Sequence, residues 1–239
     1  MSGPPPPVVI PNFGGASKCV TNNDLFCADW VQHNWGSTLQ PALLEHLRLT
    51  LIAVAIGFVI AFAAAVVARR LRFVEHPFTL VGALLYTIPS IALFQLLVPF
   101  TGLTETTVEI ALIGYTLLIL FRNTLAGFQA VPEDVLEAAR GMGLRGREIL
   151  WRIEVPLALP AIMAGLRIAT VTVISLATVA AFIDDEGLGS PIFRAIQSNV
   201  FKTELFAAGG LAVALALFAD AFLVLVQRLV TPWARRERT

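Results

Sequence analysis

The sequence predicts an all-α membrane protein of about five transmembrane helices. Only 14% of its 239 residues are charged, where a soluble domain carries about a quarter, and its mean hydropathy is +0.76. The apolar residues gather into uncharged runs at 49–68, 78–104, 168–183 and 205–219. Runs of about twenty residues match a hydrocarbon core of about 30 Å at about 1.5 Å per helical residue. A membrane admits only helices or a closed barrel, because an unpaired backbone group finds no water there. The alternation expected of barrel strands is absent, which leaves helices.

In chain order, residues 1–16 (MSGPPPPVVIPNFGGA) are rich in proline and glycine and are expected to be extended. Cys19 and Cys27 follow, around the turn formers Asn22, Asn23 and Asp24. Outside the cytoplasm they can close a disulfide; the alternative is two free thiols. Trp30, Trp35, Leu39, Leu43, Leu47 and Leu51 recur at helical spacing, with Ser37 or Thr38 as a cap and Pro41 in the first turn. That stripe reads either as an interfacial helix or as an extended start to the first span. The spans are expected at 49–68, 79–99, 105–123, 159–182 and 206–228, with Arg122 and Arg167 interrupting the third and fourth. Between the last two spans, Gly187 and Gly189 break the helix, and Ser190 and Pro191 can start a short one. The first forty residues hold no basic region with an apolar core behind it, so the first span is expected to act as the export signal.

Arginine placement sets the expected orientation. Arg69, Arg70, Arg72, Arg140, Arg145, Arg147, Arg152, Arg228, Arg235, Arg236 and Arg238 fall on one side; Lys18, Arg48, Arg194 and Lys202 fall on the other. The N-terminus is therefore expected outside and the C-terminus in the cytoplasm. The domain plan is an extracytoplasmic segment 1–40, a transmembrane domain 41–232 and a cytoplasmic tail 233–239. A multi-pass cytoplasmic-membrane location follows, with the lipid bilayer as a partner and no nucleic acid.

One segment departs from the apolar background. Residues 137–156 read EAARGMGLRGREILWRIEVP and carry four arginines and three glutamates. Pro132, Glu133 and Asp134 suit a helix start, Arg140 its last turn, and Gly141 or Gly143 a left-handed cap. A second helix near 147–153 is expected to stop at Pro156. Ala138 and Ala139 offer a small-residue surface, and Leu144, Ile149, Leu150 and Ile153 an apolar patch ringed by arginine. Physically the loop could dock another protein or simply pack under its own bundle.

The spacing from Glu137, Ala138 and Ala139 to Gly143, Ile153 and Pro156 resembles the EAA loop of permease subunits of binding-protein-dependent ABC importers. The usual leucine before the proline is Val155 here. YTIPSIALFQLLVP (86–99), LFRNTLAGFQAV (120–131) and DEGLGSPIFRAI (185–196) are similar to permeases of the glycine betaine, carnitine and choline import family, over roughly 43–232. The resemblance implies the MetI-like permease fold, with 132–156 forming the coupling loop. It also implies a cytoplasmic ABC ATPase dimer docked on that loop, a second permease chain, identical or related, and an extracytoplasmic substrate-binding protein. Leu144, Arg145 and Arg147 would be contact residues by position. The cargo would be a compatible solute such as glycine betaine, choline, carnitine or proline betaine; an amino acid or other small solute is the alternative.

No catalysis is expected of this chain. A phosphate-binding loop ends in Gly-Lys-Ser/Thr, and neither of its two lysines, Lys18 and Lys202, follows a glycine. ATP and Mg would belong to the partner ATPase, leaving no cofactor here. His33, His46 and His76 are scattered and give no metal or triad spacing.

Arg122, Arg167 and Asp220 fall within spans, where charges usually face the bundle, a partner or the headgroups. Arg167–Asp220 or Arg122–Asp220 pairing is expected; the alternative is that both arginines snorkel. Asp184, Asp185 and Glu186 form an acidic cluster at the outer mouth, which could draw in a cation, meet the binding protein or be a solvated loop. Tyr86, Pro89, Ser90 and Phe94 are candidates to line a path, or are ordinary packing. Tyr86 and Phe94 could pass a quaternary ammonium by cation–π contact.

Overall fold

A computed structural model describes residues 18–198 and 200–233. The proline-rich segment 1–16 and Arg235, Arg236 and Arg238 lie outside the described residues. Helix α1 (Lys18–Thr21) is a single turn, followed by α2 (Ala28–Asn34), a wide π turn at Trp35–Leu39, and α3 (Gln40–Ala68). The chain is helical over all of Ala28–Ala68, 41 residues, so the tryptophan stripe is the start of the first span. Pro41 sits in the first turn of α3, where its missing N–H costs nothing.

The second span is not one helix, which corrects the expectation of a continuous 79–99. Helix α4 (Arg72–Thr87) and helix α5 (Ser90–Thr101) meet at a bend of 104°. A proline drives the residue before it out of the helical region, and Ile88 is extended at φ −68°, ψ 129°. The Ile88 carbonyl is taken up by the Tyr115 hydroxyl, which donates to it at 2.5 Å. Helix α6 (Glu105–Gln129) follows, then α7 (Glu133–Gly141) and α8 (Gly146–Ile149). A second π turn, Leu150–Glu154, leads into α9 (Val155–Ala180), and α10 (Gly189–Gln197) and α11 (Lys202–Val230) complete the bundle. Among the described residues, four helices are long and apolar enough to cross a membrane, five if the bent α4–α5 pair counts as one span.

Pro156 does not end a helix, a further correction. The chain is helical from Gly146 to Ala180, and Pro156 lies in the first turn of α9. The π turn widens the backbone just where the ladder would need the N–H that proline lacks.

Helix α6 sits at the centre, packed against α3, α9, α4 and α5. One apolar cluster joins Leu49, Val54, Phe94, Leu112, Tyr115 and Val173; a second joins Ala61, Ala65, Phe121, Phe128, Leu150 and Ile162. Small residues let these helices approach closely. A Cβ on Gly57 would come within 1.9 Å of Thr116 Oγ1. Gly57→Val is therefore expected to prise α3 from α6 and to cost about 1–3 kcal/mol by overpacking. Thermal unfolding in detergent checks this against Gly209→Val, which meets nothing within 4 Å and should lower Tm far less.

Helix α11 is the least embedded of the spans, with only Thr203, Ala207, Ala208 and Ala212 buried. Its Lys202 end is held by the N-terminal segment. Cys19 and Cys27 are joined as a disulfide, and the loop they enclose reaches across to α11. The Asn23 amide donates to the Val200 carbonyl at 3.0 Å, and its oxygen accepts from the Lys202 N–H at 2.9 Å. Thr203 Oγ1 donates to the Asp24 carbonyl at 3.0 Å. Trp30 meets Phe201 edge-on, with ring centroids 5.3 Å apart.

Candidate coupling loop and membrane-embedded polar groups

The loop between α6 and α9 has its own small core. Val131, Leu136, Ala139 and Ile149 are buried together, with Leu144 and Ile153 packed against them. The apolar patch expected on the surface is thus the interior of the loop, and Ala139 is fully buried while Ala138 is exposed. The residues of this patch come from both sides of the turn, so closing the turn hides them.

Helix α7 begins after Pro132 with Glu133 and Asp134 in its first turn and ends with Arg140 in its last, all favourable to the helix dipole. Arg140 reaches Glu133 at 2.8 Å. Its end is a Schellman turn. The Leu144 N–H donates to the Ala139 carbonyl at 3.2 Å and the Gly143 N–H to that of Arg140 at 2.9 Å. Gly143 has φ +80°, the left-handed cap; Gly141 lies inside the helix. The Glu148 carboxylate then accepts from the Arg145 N–H at 2.8 Å and starts α8. The outward face of this unit carries Glu137, Ala138, Met142, Gly143, Arg145 and Arg147. Met142 is 74% exposed, a surface residue that spacing alone did not single out.

Two contacts fasten the loop to α3. Arg69 forms an ion pair with Glu154, both side chains about nine-tenths buried. The Arg70 guanidinium lies over Gly146, where a Cβ would sit 2.6 Å from Nη2.

Within the membrane-spanning helices, Arg167 of α9 grips Asp220 of α11 with a two-pronged contact, Nε to Oδ1 at 2.8 Å and Nη2 to Oδ2 at 3.0 Å. Arg122 takes no part in this pair. It is exposed and lines a cleft of about 930 Å³ between α4 and α6, with Glu75, His76 and Gln129.

Of the path candidates, Tyr86, Pro89 and Ser90 lie at the α4–α5 break, with Tyr86 44% exposed. Its ring meets Tyr115 edge-on at 6.2 Å. Phe94 is 0% exposed and belongs to the core under α6, so it presents no ring to a passing solute. It corrects that expectation, because the bend at Pro89 turns this face of α5 inward. Tyr115, which secures the break, carried no signal in the sequence.

At the far end of α9, Asp184, Asp185 and Glu186 precede a loop fixed to α3. The Gly187 N–H donates to Glu45 Oε2 and the Leu188 N–H to His46 Nδ1, both at 3.2 Å. His46 is fully buried, and its Nε2 bonds the Ile174 carbonyl at 3.0 Å. Since Nδ1 accepts, the ring is neutral with its proton on Nε2. Gly189 has no room for a side chain, its Cβ falling 2.1 Å from the Thr178 carbonyl. Nearby, Arg48 pairs with Glu105 at 2.5 Å.

Burial, then repulsion from Glu105, Asp184 and Glu45, holds the Glu186 carboxyl above its ordinary range, with Arg48 offsetting part of this. The folded state thus favours the protonated form. That contribution is complete below about pH 4 and is lost as pH rises through the raised value. The fall in Tm from acid to neutral pH is expected to be shallower in Glu186→Gln than in the parent chain; equal slopes would remove Glu186 from the account.

The family model for binding-protein-dependent transport system inner membrane components matches residues 43–236. The glycine betaine/carnitine/choline transport system permease protein OpuCB of Bacillus subtilis is 35% identical over 85% of this chain and 93% of its own length. The choline transport system permease protein OpuBB of the same organism is 34% identical over 85% and 93%. Among solved structures, an inward-facing MetNI methionine ABC transporter superposes with a TM-score of 0.69 at 21% identity, covering 79% of this chain and 94% of that one. Given the extent of these matches and the helical bundle that carries them, the chain belongs to the family of binding-protein-dependent transport system inner-membrane components, as a multi-pass transport subunit of the cytoplasmic membrane rather than a catalyst.

Proposed function

We propose that the chain is the permease of an ATP-driven importer for a compatible solute of the betaine, choline or carnitine kind. The observation that carries this reading is the loop from α7 to α8: self-packed, outward-facing and continuous with a membrane helix. Such a unit can receive a push from a docked protein and pass it into the bundle. Glu137, Ala138, Gly143, Arg145 and Arg147 form the contact face toward a cytoplasmic ATPase pair, which supplies ATP and Mg. A second permease chain, identical or related, completes the path, and a binding protein delivers solute to the face bearing Asp184, Asp185 and Glu186. On this reading the N-terminus is outside and the arginine-rich ends are cytoplasmic, as the distribution of basic residues favours. Tyr86, exposed at the α4–α5 break, offers a π face to a quaternary ammonium. The names of the two Bacillus relatives support the cargo class.

The test is to purify a tagged chain with its partners, weigh the intact complex by native mass spectrometry, and follow choline and glycine betaine uptake in proteoliposomes. Two permeases with two ATPases, and uptake that needs ATP, are expected. A chain that never retains an ATPase would end the importer reading. An intact complex that moves only amino acids would end the cargo assignment alone.

A further inference from the structure

A cavity of about 470 Å³ opens where α3 leaves the membrane, lined by Arg69, Arg70 and Arg147 together with Val66, Val67 and Leu150. A second, of about 670 Å³, shares Val66, Val67 and Leu150 with it and is lined by apolar side chains, from Phe58 and Phe62 on α3 to Trp151 and Ile162. The two form one groove with a basic mouth and an apolar stem. Its position follows from the sequence: the uncharged run of α3 ends at Ala68, and Arg69 and Arg70 come next. The mouth thus lies at headgroup level. The stem runs back from Val67 to Phe58, about 14 Å of helix, at hydrocarbon depth. Trp151 is 53% exposed at the junction, where amphipathic rings favour the interface.

Charge at the mouth is only partly neutralised by the described residues. Arg69 is engaged by Glu154, yet its buried Nε has no hydrogen-bond partner. Arg70 and Arg147 have no ion-pair partner among the described residues. Two free guanidinium groups beside a third suit a phosphate, which accepts two parallel N–H bonds. A soluble phosphate or nucleotide would use the mouth and leave the stem empty.

We infer that the groove between the inner end of α3, the π turn before α9 and the Gly146 turn binds one anionic phospholipid, its phosphate on Arg70 and Arg147 and an acyl chain along Phe62, Val66 and Trp151. The lipid bridges α3 to the candidate coupling loop beside the Arg69–Glu154 pair. This site does not depend on the cargo, and it shares Arg147 with the proposed docking face.

Native mass spectrometry of the purified full-length chain with its co-purifying partners tests it, using dioleoylphosphatidylglycerol, dioleoylphosphatidylcholine and inorganic phosphate as separate probes. The phosphatidylglycerol adduct is expected to survive activation that strips phosphatidylcholine, and phosphate is expected not to displace it. Arg70→Gln should weaken phosphatidylglycerol retention about fivefold, the factor one juxtamembrane basic residue supplies. Ala63→Trp, which fills the stem without altering charge, should weaken it too and carries the test if Arg70→Gln does not assemble. Equal retention of both lipids, unchanged retention in Ala63→Trp, or displacement by phosphate would each overturn the assignment.

Discussion

Asp220→Ala is expected to release α11 from the bundle and sharply reduce the yield of folded protein. The fully buried residues of α11 all lie between Thr203 and Ala212, so the half that carries Asp220 is only partly covered by the bundle. Asp220 precedes Arg228 by eight positions, about 12 Å from the end of the span. Removing it strands the Arg167 guanidinium at that depth, where an unpaired arginine costs on the order of 2.5–3.5 kcal/mol at the bilayer centre. The pair is 33% and 38% exposed within this chain, so water or a neighbouring chain will soften part of that cost. The fork geometry makes the contact specific. Arg167→Leu with Asp220→Leu should thus be less damaging than Asp220→Ala alone, and the exchange Arg167→Asp with Asp220→Arg should recover much of the loss. Fluorescence-detected size exclusion and Tm in detergent read both. Additive effects of the two single changes would show that the contact contributes nothing.

Gly143→Asp is expected to leave the protein inserted and folded while abolishing uptake. At φ +80° a side chain costs about 1–2 kcal/mol, and a carboxylate here opposes the dipole at the end of α7. Nothing lies within 4 Å of a Cβ at this position, so no clash spreads into the bundle. The damage is confined to the angle between α7 and α8, which on the proposed function is the angle a docked ATPase would read. Gly141→Ala is the control: it lies in helix with equally open surroundings, and should gain about 0.4–1 kcal/mol. ATPase stimulation and uptake normalised to protein level separate the two. Uptake retained in Gly143→Asp would remove this turn from the coupling route.

The helices were legible wherever a long uncharged run met a charged boundary, as at Ala68–Arg69. Depth counted from span ends set Arg167 and Asp220 at one level, but could not exclude Arg122, because rotation about a helix axis depends on packing. Prolines carry less local information. Pro89 falls inside a span expected to be continuous, because the break depends on the extended Ile88 and on Tyr115, 27 residues away. Pro156 looked like a stop because the preceding π turn leaves no local mark. Leu144, Ile149 and Ile153 looked exposed because Val131 and Leu136, which cover them, lie outside the motif. His46 was invisible as a structural residue, since its partners lie 128 and 142 positions away.

Helix α3 is tied to the α8–α9 helix at both ends, by Arg69–Glu154 at one and by His46 to the Ile174 carbonyl at the other, where Glu45 and His46 also hold the loop after α9. Two rods pinned at both ends make a stiff panel. A helical rod of 35 residues is about 52 Å long, so a tilt of about 5° carries its far tip roughly 4–5 Å. Displacement applied at the loop is therefore not absorbed between these helices. It emerges at the Asp184–Glu186 rim with its direction set by where the panel pivots. The slack needed for opening and closing falls to the parts outside the frame, the 104° elbow of α4–α5 and the lightly seated α11.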